Sequence, residues 1–121
     1  MQKYEGFSVP DERIMFEIFE REPSEASPDE GFWCYEVTDY NGITLRFSFS
    51  LFERSVQTTI LINGREIQTV CQEGAVSLTP VSERGNRGLR GKFQFGAETS
   101  TLEVRLIPEI KVNWSALLNE N

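Results

Sequence analysis

Two Asn-Gly pairs, Asn41-Gly42 and Asn63-Gly64, each separate runs of alternating apolar and polar residues, and they constrain the fold more tightly than any other feature of the chain. Asn and Gly reach positive φ at little cost, so an Asn-Gly pair between alternating runs marks a β-hairpin. Residues 33–71 therefore read as four consecutive antiparallel strands.

Parity selects the turn type. Side chains that pair across a hairpin share one face. Trp33, Tyr35 and Val37 alternate with Ile43, Leu45, Phe47, Phe49 and Leu51, all odd-numbered. A three-residue loop, Tyr40-Asn41-Gly42, keeps odd opposite odd and pairs Val37 with Leu45, Tyr35 with Phe47 and Trp33 with Phe49. At the second pair, even-numbered Val56, Ile60 and Ile62 must meet odd-numbered Ile67 and Cys71, which a two-residue turn at Asn63-Gly64 supplies. That turn predicts Ile60 opposite Ile67, Thr58 opposite Thr69, Thr59 opposite Gln68 and Val56 opposite Cys71. A four-residue connection, Phe52-Glu53-Arg54-Ser55, joins the hairpins and keeps one apolar face.

Beyond Gly74 four more short strands follow: one through Val76 and Leu78 ending at Pro80, then Leu89 to Phe95, Leu102 to Leu106, and Ile110 to Trp114. The fold class is mainly β, an antiparallel meander of about eight strands forming a sandwich or a curled barrel-like sheet. One short N-terminal helix is a second expectation. Ser8 is its candidate N-cap, followed by Pro10, Asp11 and Glu12, with Ile14, Met15, Ile18 and Phe19 at helical spacing. Ile14, Phe16 and Ile18 also alternate as in a strand, so periodicity alone leaves residues 11–20 open. Residues 1–121 are expected to form one domain: an acidic segment 1–30, a meander 32–114 and a tail 115–121.

The net charge of −7 is concentrated at the start. Residues 1–30 hold nine carboxylates against Lys3, Arg13 and Arg21, while the rest is nearly balanced. Such a segment attracts basic partners and repels nucleic acid and membranes; the alternative is a solvated face. The sequence shows no apolar leader and no run of about 20 apolar residues, which predicts a soluble, cytoplasmic chain without membrane contact.

The sequence contains no histidine, which removes Ser-His and Cys-His nucleophile pairs and the commonest metal ligand. Two cysteines do not make a zinc site, and no cofactor motif is present, so no metal or cofactor is expected. A carboxylate-only site is the remaining catalytic option. The predicted register puts Cys34 on the polar face and Cys71 on the apolar face of strands about 14 Å apart. A disulfide needs Cα atoms within about 7 Å, so both are expected as free thiols, as in a reducing compartment.

Two surfaces are candidates for binding. The first joins the acids Glu17, Glu20, Glu22, Glu25, Asp29 and Glu30 to the outward sheet face carrying Glu36, Arg46 and Leu61. The second is the Arg-Gly segment 84–92, with Arg84, Arg87, Arg90 and Lys92 as possible grips for phosphate. A small, acidic chain without catalytic equipment fits a stoichiometric inhibitor of a basic protein, such as an immunity protein against a toxin. An assembly or adaptor subunit and a weak nucleic-acid binder acting through 84–92 are the alternatives, the last disfavoured by the overall charge.

Overall fold

The computed structural model describes residues 2–4 and 6–118, with side chains over 6–116. The strands are β1 (Gln2–Tyr4), β2 (Phe7–Val9), β3 (Glu25–Ser27), β4 (Phe32–Thr38), β5 (Ile43–Ser50), β6 (Ser55–Ile62), β7 (Arg65–Glu73), β8 (Ala75–Glu83), β9 (Asn86–Phe95), β10 (Glu98–Ile107) and β11 (Lys111–Leu118). They form two sheets, a six-stranded one ordered β1-β2-β8-β9-β10-β11 and a five-stranded one ordered β3-β4-β5-β6-β7. The sheets are not closed into a barrel; the chain is a β-sandwich.

The segment 1–30 is built into this sandwich. β1 pairs with β2, and β2 meets β8 in parallel through Ser8 and Ser77. Helix α1 (Glu12–Phe19) settles the ambiguity over residues 11–20. Its N-cap is Asp11, not Ser8, which lies in β2: the Asp11 carboxylate accepts from Ile14 N at 2.9 Å. Met15, Ile18 and Phe19 are buried, and Phe19 stacks on Tyr35 with ring centroids 4.6 Å apart. Of the tail expected over 115–121, residues 115–118 belong to β11, which runs to Leu118; residues 119–121 lie outside the described residues.

One core cluster joins both sheets and the helix. It includes Tyr35, Leu45, Phe47 and Val56 from the five-stranded sheet and Leu78, Leu89, Phe93 and Leu102 from the six-stranded one. Across this layer the Trp114 indole N–H donates to Thr58 Oγ1 at 3.0 Å. Thr58 is 2% exposed, and Thr58→Val would leave the half-buried Trp114 N–H without its acceptor. We expect a loss of about 1–3 kcal/mol in urea unfolding, more than the change of shape alone would produce.

The first hairpin matches the parity argument. Val37 faces Leu45, Tyr35 faces Phe47 and Trp33 faces Phe49, and Gly42 sits at φ 82°. The next connection differs: Ser50 pairs with Ser55, so it spans 51–54 rather than 52–55. The faces are unchanged, because parity does not detect a slip of two. At Asn63-Gly64 both residues have positive φ, 52° and 80°, and Ile62 pairs with Arg65 as a two-residue turn requires.

A β-bulge then overturns the rest of the predicted β6–β7 register. Between Ile60 and Leu61 the pairing shifts, so Ile60 faces Gln68, Thr59 faces Thr69, Thr58 faces Val70 and Gln57 faces Cys71. Ile67 is left 53% exposed, and Cys71 turns to the outer face, against the expectation that both face the core. β7 is the sheet edge, where little core burial enforces register. There the Thr59 and Thr69 hydroxyls meet at 3.1 Å, and Thr69 donates to Glu66 at 2.8 Å.

Pro80 does not end a strand. It sits within β8, past the single bridge to β2, where the strand has no further partner on that side.

Candidate functional site

The register arranges the outer face of the five-stranded sheet in rows. One row runs Glu25, Cys34, Ser48, Gln57, Cys71, and the next Glu36, Arg46, Thr59, Thr69. The flanking rows are Thr38, Thr44, Leu61, Glu66 and Ser27, Phe32, Ser50, Ser55, Glu73. Strand residues on this face thus carry Glu25, Glu36, Glu66 and Glu73 against Arg46, among many hydroxyls. Arg46 Nε donates to Glu36 Oε1 at 2.8 Å, and Thr38 and Thr44 share a hydrogen bond at 2.7 Å.

The acids of the N-terminal segment spread over several elements. Glu25 lies on this face, while Asp29 and Glu30 sit exposed on the 3-10 turn that leads into β4. Glu22 is exposed in the loop after the helix. Glu17 is on the exposed side of α1 beside Arg13, and Glu20 pairs with Arg87 at 3.0 Å. Of these acids Glu25 belongs to the face and Asp29 and Glu30 follow β3 in the chain, whereas Glu17 and Glu20 stay with the helix. Leu61 is on the outer face as expected, but at 6% exposure it is no surface anchor. Glu66 faces Leu61 as the two-residue turn requires, whereas Glu73 reaches this face only through the bulge, which no periodicity in β7 announces.

The Arg-Gly segment is not a loop gripping phosphate with four arms. Arg84 and Gly85 form a two-residue turn, and the rest is β9. Arg87 points to the helix, donating to Ile18 O at 3.1 Å and pairing with Glu20. Arg90 and Lys92 share the outer face of the six-stranded sheet, where Arg90 is paired with Glu103. Each glycine has its own structural reason. Gly85 turns at φ 79°, a Cβ on Gly88 would lie 1.8 Å from Val104 O, and Gly91 packs under Phe93, Leu102 and Leu78.

The two outer faces are opposite in sign. Strand residues on the outer face of the six-stranded sheet bring Arg90, Lys92, Arg105 and Lys111 against Glu83 and Glu103.

At one end Asp39 ties the sheets together. Its carboxylate accepts from Asn41 N at 2.9 Å, from Ile43 N at 3.0 Å and from Ile110 N at 3.0 Å, across the sandwich. Asn41 Nδ2 reinforces the tie through Glu109 at 2.9 Å. Partial desolvation pushes the Asp39 carboxyl up, but the three N–H donors outweigh it and hold its pKa below the ordinary carboxyl value. The stability owed to Asp39 is therefore complete above the ordinary carboxyl pKa and lost as pH falls through the lowered folded value. Asp39→Ala should unfold in less urea at neutral pH, with the gap to wild type narrowing below about pH 4.

Both cysteines are free thiols, Cys34 half-buried and Cys71 exposed. Burial pushes the Cys34 thiol up, reinforced by Glu25 and Glu36; Cys71 rises for the same reason, with Glu73 and Glu53 adding to it. Among the described residues, no group of three or more His, Cys, Asp or Glu gathers as a metal site. No helix among them is long and apolar enough to cross a membrane.

The architecture defines a two-sheet β-sandwich with one acidic and one basic outer face. It is similar to a chain of the contact-dependent growth inhibition toxin–immunity protein complex from Klebsiella pneumoniae 342, with a TM-score of 0.85 and 23% identity, covering 93% of this chain and 98% of that chain. At that identity the likeness shows the fold. No family model and no curated protein matches the sequence.

Proposed function

We propose that the chain is an immunity-type protein, folded as one domain, that neutralises a cationic toxin by stoichiometric binding through the outer face of its five-stranded sheet. The supporting observation is the fold likeness, over nearly the whole of both chains, to a chain of a toxin–immunity complex. A toxin must carry a damaging chemistry, whereas an immunity protein needs only a surface. This sequence has no histidine for nucleophile activation, which favours the binding role. Glu25, Glu36, Glu66 and Glu73, bordered by Glu22, Asp29 and Glu30, offer a field that speeds capture of a basic partner. The hydroxyl rows supply hydrogen bonds. Two free cysteines suit action in the reducing cytoplasm.

The test is co-production with a candidate growth-inhibiting toxin domain, chosen where one is encoded beside this chain. The expected result is restored growth and an equimolar complex in gel filtration. Continued arrest with the chain in excess, or arrest caused by the chain itself, would contradict the reading.

A further inference from the structure

The outer face of the six-stranded sheet contains a depression of about 300 Å³, lined by Val81, Gly88, Arg90, Arg105, Lys111 and Asn113 among others. It exists because Gly88 contributes no side chain between Val81 and Arg105, its partners on the neighbouring strands. The close approach to Val104 O forbids any other residue there. The hole is therefore a fixed consequence of how β9 and β10 pack.

Its rim places two like charges on neighbouring strands. Arg105 and Lys111 are direct cross-strand partners on the same face. Like charges in that position repel. Arg105 meets Glu109 at 3.9 Å and donates from Nε to Glu109 O at 3.2 Å. Lys111 has no carboxylate within ion-pair distance among the described residues. Arg90 is held at the opposite side of the depression by Glu103, and Arg87, itself paired with Glu20, also contributes to the lining. The Arg90 and Arg105 guanidiniums carry five N–H donors each, so donors remain after these contacts, whereas the Arg87 side chain is directed to the helix. Asn86 and Asn113 add amide groups, and Glu83 is the other carboxylate of the lining.

We propose that this depression binds a compact phosphate-class oxyanion bridging Arg105 and Lys111. The anion relieves the cross-strand repulsion, is met by charge-assisted hydrogen bonds from preplaced donors, and sits over a floor that only glycine leaves open. A nucleic-acid strand is the less favoured occupant. It needs a track of cations, and here the cations surround one hole on a chain of net charge −7.

The experiment is a titration of the isolated chain followed by amide chemical shifts, with inorganic phosphate, pyrophosphate and a short single-stranded oligoribonucleotide as separate probes. We expect saturable shifts with pyrophosphate, confined to Gly88, Val104, Arg105 and Lys111, with a Kd below about 1 mM. Lys111→Gln should abolish them while raising the melting temperature of the unliganded chain, because it removes the like-charge pair; Arg13→Gln should change neither. Shifts that fail to saturate, or that spread equally to Arg13 and Arg46, would overturn the proposal. Tighter binding of the oligoribonucleotide than of pyrophosphate at the same residues would overturn the compact-anion assignment. Failure of this site leaves toxin capture untouched, since the acidic face lies on the other sheet.

Discussion

Replacing Gly88 with alanine should cost about 4 kcal/mol or more, at the exceptional end of single substitutions. The added Cβ would lie 1.8 Å from Val104 O and 2.8 Å from its carbon, both backbone atoms of a neighbouring strand. Neither can yield without opening the β9–β10 ladder. Domain stability is about 5–15 kcal/mol, so a large share of the stability would be lost. Gly85→Ala is the control. Its Cβ meets nothing within 4 Å, and only the positive φ of 79° opposes it. That change should cost about 1 kcal/mol. Urea midpoints of the two variants separate close approach from turn strain. Equal midpoints would remove the structural reason for the Gly88 depression.

The second large effect concerns capture. Changing Glu25, Glu36, Glu66 and Glu73 together to glutamine leaves Arg46 as the charged strand residue of the outer face. At low ionic strength the association rate with the proposed toxin partner should fall by about 10- to 1,000-fold, and the deficit should shrink as salt screens the field. The dissociation rate should change far less. Surface-plasmon measurements at two salt concentrations read both. An unchanged association rate at low salt would mean that the partner docks elsewhere. The fold should tolerate the change, because the carboxylates are exposed or half-buried; among the described residues Glu36 alone of the four makes an ion pair, with Arg46, and glutamine at 66 still accepts from Thr69.

The legible part of this molecule was the part that burial enforces. The central strands β4 and β5 are packed on one face by Trp33, Tyr35, Leu45, Phe47 and Phe49, so a register error of one would expose them all. Parity therefore found the three-residue loop at Gly42. The same reasoning failed at β7, an edge strand, where Ile67 bulges out and Thr69 finds Thr59. Polar pairing rather than burial decides there, and the sequence carries no period for it. The Asp11 cap was displaced in the sequence reading by Ser8 because both residues precede the same apolar run. Strand count and turns leave two closures open, a sandwich and a curled barrel-like sheet. Strand patterns say which face is apolar but not which sheet covers it. The charge contrast between the outer faces was hidden for that reason: Arg90, Lys92, Arg105 and Lys111 come together only once β9, β10 and β11 lie side by side. The Arg-Gly repeat consists of three glycines with separate roles: a positive-φ turn at Gly85, a close approach to Val104 O at Gly88 and a core contact at Gly91.

The central claim is that the outer face of the five-stranded sheet is covered by the partner. Cys34 and Cys71 belong to one row across that face, so they are native reporters of it. Burial and neighbouring carboxylates keep both thiols protonated near neutrality, so free-chain alkylation should be slow at Cys34 and measurable at exposed Cys71. The most direct measurement is thiol alkylation with mass-spectrometric readout, on the free chain and on the equimolar complex with the toxin. The account predicts that complex formation suppresses modification of both cysteines. Modification of Cys71 at the same rate in the complex as in the free chain would contradict it.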